Sequence, residues 1–102
     1  MYCMIEIAFD NLEEVNKTCE ILLNEKLVGS CQVVESASKW NWKGTYESSK
    51  EYLLFLKTKK ELSTKIYEIV KNIHSYECFE FAIFKLESCN LEYLDWIEKE
   101  VR

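Results

Sequence analysis

The sequence predicts an α+β domain, a four-stranded antiparallel sheet with two helices packed on one face, and three observations predict it. Hydrophobic periodicity switches between about two and about 3.6 residues, in the order β-α-β-β-α-β. The chain has 102 residues, 48% apolar and 30% charged, a length and balance that support one hydrophobic core over residues 1–102 and exclude disorder. Leu53-Leu54-Phe55-Leu56 is a continuous apolar run, the pattern of a strand covered on both faces.

Each element has its own signal. Cys3, Ile5, Ile7 and Phe9 alternate with Met4, Glu6 and Ala8, which predicts a first strand. Asp10 with Glu13 three residues on forms an Asp version of the capping box that starts a helix. Leu12, Val15, Cys19, Leu22 and Leu23 supply that helix's apolar spacing, and Gly29 closes the segment after Leu27 and Val28. Ser30 to Thr58 predicts a long β-hairpin. Its first arm carries Cys31, Val33 and Val34, then Trp40 and Trp42 two apart on one face. Gly44 and Glu47-Ser48-Ser49 mark the turn region, and Tyr52 to Leu56 form the return arm. Thr58 and Glu61 form a second capping box before Leu62, Ile66, Ile69, Val70 and Ile73, with the helix ending near His74 and Ser75. Phe79, Phe81 and Ile83 alternate with Ala82, Phe84 and Leu86 in a last strand that starts near Cys78. Asn90 caps a C-terminal helix lined by Leu91, Leu94, Ile97 and Val101.

This order is the split βαβ arrangement of ferredoxin-like domains, extended by a long hairpin and an added C-terminal helix. Both helices then lie on one face of the sheet, and the other face stays open. The chain has three Trp, six Tyr and five Phe, more than so small a monomer readily buries. A second copy of the chain is the simplest cover for the open face. Trp40 and Trp42, stranded on a protruding arm, are expected at that interface.

Composition also narrows function. Net charge is −5 with lysines interleaved among glutamates, so the uncompensated cations that nucleic acid requires are absent. No apolar run approaches the roughly 20 residues that span a bilayer. Met1 to Glu6 lack a basic start and Glu6 interrupts the apolar stretch, so no signal peptide is read and a cytoplasmic location is expected. Five cysteines, an odd number without a C-x-x-C pair, argue against a disulfide framework and a zinc ribbon. Two isolated glycines cannot build a phosphate loop. The sole histidine, His74, has no sequence-evident triad partner, and no enzymatic activity is expected.

From Leu27 almost to the C-terminus the chain resembles the CutA family. Ser30-Cys31 is similar to the family's alanine-cysteine, and Trp42-Lys43-Gly44 to its tryptophan-x-glycine. Glu51 to Thr58 resembles its acidic residue, apolar run and lysine-threonine. His74-Ser75-Tyr76-Glu77 is similar to its histidine-proline-tyrosine-glutamate, and Asn90 with Tyr93-Leu94-Asp95-Trp96 to its C-terminal motif. Ser75 and Phe79 replace two signature prolines, and Phe79 regains a backbone N–H with which its strand can pair. The resemblance implies a homotrimer with interlocked hairpins, a role in divalent-cation tolerance with copper most often named, a likeness to PII-type signalling trimers, and no established catalysis or organic cofactor.

Two site expectations follow. Cys31, His74 and Glu77 are candidate ligands for copper or another divalent metal, weakly bound, since imidazole, thiolate and carboxylate together suit a mixed site. Alternatively, His74 serves only to close its helix, and Cys31 is a small buried hydrophobe. Cys3, Cys19, Cys78 and Cys89 read as structural. Trp42, Glu51, Lys57 and Tyr76 match positions lining an intersubunit cleft in the family, where they either grip a small anion or form a salt-bridged, stacked interface.

Overall fold

The computed structural model describes residues 1–102. Its elements are β1 (Tyr2–Phe9), α1 (Leu12–Asn24), β2 (Ser30–Trp42), β3 (Thr45–Lys59), a 3-10 turn (Lys60–Leu62), α2 (Ser63–Ile73), β4 (Phe81–Lys85) and α3 (Leu91–Glu100). The strands form one antiparallel sheet in the order β2-β3-β1-β4. The α+β, ferredoxin-like class predicted from the periodicity is the one observed.

Pleating divides the sheet residues between two environments. Cys3, Ile5, Ile7 and Phe9 of β1 point to the helices, as do Leu56 and Leu54, the partners of Ile5 and Ile7 on β3. Val15 and Leu22 of α1 and Ile66 and Val70 of α2 close on them from above, and all ten are fully buried. Burial of such side chains stabilises by about 1.5–3 kcal/mol each. The opposite face carries Met4, Ala82, Phe84, Phe55, Leu53 and Val34 with no layer over it. Phe84 is 45% and Val34 50% exposed.

Four local expectations are corrected. Asn11, not Asp10, caps α1: its Oδ1 accepts the Glu14 N–H at 2.8 Å, while Asp10 accepts from the Asn11 amide at 2.7 Å. Thr58 does not cap α2, because it lies inside β3 and donates its hydroxyl to the Leu27 carbonyl. The hairpin turns tightly at Lys43-Gly44, both at positive φ (49° and 83°), with Trp42 paired to Thr45. Glu47-Ser48-Ser49 therefore belong to β3, opposite Trp40, Lys39 and Ser38. Phe79 stays outside β4, which begins at Phe81, and stacks on His74 instead of pairing. Asn90 does occupy the cap position of α3, though its side chain makes no capping bond.

The hairpin makes the molecule long, with extents of 44 × 26 × 21 Å. Beyond Glu51 its two arms have no third strand beside them, because β1 ends at Phe9 opposite Tyr52.

Candidate functional site

A cleft of about 810 Å³ opens where the hairpin leaves the sheet, beneath the loop joining α2 to β4. Pairing builds it. Ser36, Ser38, Trp40 and Trp42 share one face of β2, and Glu47 and Glu51 stand opposite Trp40 and Ser36 on β3. Glu6 and Ala8 of β1 form the floor, and Tyr76 to Glu80 of the loop form the other wall.

His74 anchors that loop. It ends α2, where its N–H reaches the Val70 carbonyl at 2.8 Å. Its Nε2 lies 2.6 Å from the Ala8 carbonyl oxygen, and its Nδ1 accepts the Tyr76 N–H at 3.1 Å. A carbonyl only accepts, so the ring hydrogen sits on Nε2 and both nitrogens are engaged. Phe9 and Phe79 sandwich the ring, each 4.5 Å away and nearly parallel. The Ser75 N–H donates to Glu14 at 3.1 Å, tying the loop to α1 as well.

The cleft is acidic: Glu6, Glu47, Glu51, Glu77 and Glu80 line it against one lysine, Lys39. Glu51 is only 7% exposed and accepts the Tyr76 hydroxyl at 2.8 Å. Burial and that carboxylate push the Tyr76 phenol well above its ordinary range. Partial burial, with the Glu6 carboxylate close by, pushes the Glu80 carboxyl up.

Of the four cleft residues expected from the sequence, Trp42, Glu51 and Tyr76 line it, with Trp40 beside them. Lys57 does not. It lies farther down β3, where its ammonium donates to Gln32 at 2.9 Å. Nor are the three expected metal ligands brought together in one chain. Glu77 lines the cleft, His74 is committed behind it, and Cys31 is on the helix side of the sheet opposite Leu56. No three His, Cys, Asp or Glu side chains converge closely enough to chelate an ion. Glu6, Glu47 and Glu80 were missed because strand alternation marks Glu6 only as a face residue, and the other two sit in polar stretches that read as turn and loop.

Cys31 has a different partner. It packs with Cys19 of α1 against the apolar core, and the influence of Cys19 together with burial pushes the Cys31 thiol up while Cys31 lowers that of Cys19.

Comparison with known proteins places this geometry. The family model described as CutA1 divalent ion tolerance protein matches residues 3–100. A divalent-cation tolerance protein CutA from Archaeoglobus fulgidus is 30% identical over 101 residues, 99% of each chain. Its solved structure, described as a periplasmic divalent cation tolerance protein, superposes with a TM-score of 0.96 over all of both chains at 29% identity. A divalent cation tolerance protein from Thermus thermophilus gives 0.94 at 27% identity, again over all of both chains.

Proposed function

The chain belongs to the CutA1 divalent ion tolerance family, and on that premise we propose that it works as a homotrimer that holds divalent cations, copper(II) among them, in the glutamate-lined cleft. The charge of the cleft carries this reading. Five carboxylates beside one ammonium attract a cation and repel an anion, which also disfavours the small-anion alternative, whose expected lysine is bonded elsewhere. Carboxylate oxygens suit hard divalent ions, and copper(II) accepts them. Because no chelating triad exists within one chain, binding is weak, and a neighbouring subunit completes the coordination. Glu77 and Glu51 are the ligands supplied here, and His74 positions the loop that carries Glu77.

The open sheet face supports the trimer, with Trp40 and Trp42 on the hairpin engaging the next subunit. No catalytic step is assigned, for the cleft pairs no nucleophile with an oriented base. Five free thiols favour a reducing, cytoplasmic setting. No helix is long and apolar enough to cross a membrane.

Calorimetric titration of copper(II) and zinc(II) into the wild type, Glu77→Gln and Glu51→Gln tests the reading. Binding that weakens about tenfold or more in each variant is expected. Binding equal in all three proteins contradicts it. Burial and the nearby Glu6 hold the Glu80 carboxyl above its ordinary range, so the cleft gains negative charge as that group ionises and cation affinity rises with pH.

A further inference from the structure

We propose that the cleft also binds a linear polyamine, an organic cation whose ammonium groups are strung along an apolar chain. This shares with the divalent reading only the negative charge of the cleft and needs no metal coordination.

The cleft lacks a countercharge of its own. The chain's ion pairs, from the Met1 amino group to Glu61, Lys50 to Glu35, Lys59 to Glu98 and Arg102 to Glu25, all use carboxylates outside it. Lys39, the one lysine there, pairs with none of the cleft glutamates. Glu51 is the most demanding of them. It is more than nine-tenths buried, and its Oε2 takes only the uncharged Tyr76 hydroxyl, at 2.8 Å. A carboxylate so far removed from water is costly unless a cation meets it.

Spacing and lining select an extended organic cation. Glu47 and Glu51 share one face of β3 and stand four residues apart, about 13 Å along a strand. Glu6 of β1 lies on that face opposite Phe55, four residues farther on, so it adds a further step of about 13 Å. Charges strung out in this way can each meet a separate ammonium group of one long molecule. Between them the lining is apolar or aromatic. Ala8, Leu53 and Phe79 offer contact to methylene segments, and the rings of Trp40 and Tyr76 offer their faces to the ammonium groups. Trp40 stands directly opposite Glu47, so ring and carboxylate address the same ammonium group. A volume of about 810 Å³ is that of a small-molecule site.

The test is calorimetric titration of the full chain with spermidine, compared with hexaamminecobalt(III), a compact ion of the same charge. Spermidine is expected to bind once per chain and about tenfold more tightly than the compact ion, the scale of one hydrogen bond to a charged group. Equal affinity for the two overturns the proposal, since it reports only a diffuse cloud of counterions. Glu47→Gln and Glu51→Gln should each weaken spermidine by a similar factor. Glu35→Gln removes the same charge from the opposite face of β2 and should leave affinity unchanged. An equal loss in Glu35→Gln and Glu47→Gln contradicts the site. Should the buried Glu51→Gln fail to fold, Glu47→Gln on the free part of the hairpin decides the matter. Copper(II), assigned to Glu51 and Glu77, should not respond to Glu47→Gln. Spermidine binding that depends on Glu47 therefore upholds the proposal whether or not copper(II) binds, and its absence overturns the proposal in either case.

Discussion

His74 illustrates how one side chain can hold a site without entering it. Wedged between Phe9 and Phe79 and bonded through both nitrogens, it fixes the loop from Tyr76 to Glu80 against the end of β1. His74→Ala removes two hydrogen bonds and a stacked ring, and should lower unfolding free energy by about 2–3 kcal/mol in denaturant melts. Thr18 poses the reverse case. Its hydroxyl is fully buried with no partner, so Thr18→Val should stabilise by about 1 kcal/mol, visible as a rise in melting temperature. Glu80 carries a pH signature. Its carboxyl is raised above the ordinary 4.5 by burial and by Glu6, so the folded chain keeps a proton the unfolded chain releases. Stability from this group is therefore full below pH 4.5 and is lost as pH climbs through the raised value. Glu80→Gln should flatten that slope and gain about 0.5 kcal/mol at neutral pH, the scale of a screened surface interaction. None of this was legible beforehand, because the contacts of His74 with Ala8 and Phe9 join residues more than sixty apart.

At the level of elements the sequence is more legible, and the places where local signals mislead share a cause. Strand alternation and helical stripes report burial directly, so β1, α1, α2 and α3 fell where expected. Capping residues report only local chemistry, which neighbours can redirect. Asn11 took the cap from Asp10, and the Leu27 carbonyl took the Thr58 hydroxyl. The outer half of the hairpin is wet on both faces within one chain, so its polar Glu47-Ser48-Ser49 carried no strand signal. What ends β2 is the Lys43-Gly44 turn, whose backbone needs two successive positive φ values. A Cβ on Gly44 would meet nothing within 4 Å, so Gly44→Ala isolates the backbone cost. It should destabilise by about 1–2 kcal/mol, measured by thermal melting.

The whole molecule presents a contrast between its two sides. Under the helices the centre of the sheet is buried, whereas on the far side Phe84 and Val34 are exposed and Phe55 and Leu53 half-buried beside the tryptophans of the hairpin. β2, long and open along its outer side, adds an edge that a solitary domain rarely tolerates. The proposed trimer would cover face, edge and hairpin together and would also supply the further ligands of the acidic cleft. Sedimentation velocity at low micromolar concentration, read alongside tryptophan emission, tests this directly. The account predicts a single species of three times the 12.2 kDa chain mass with blue-shifted, shielded tryptophans. A folded species of 12.2 kDa with water-exposed tryptophans would contradict it.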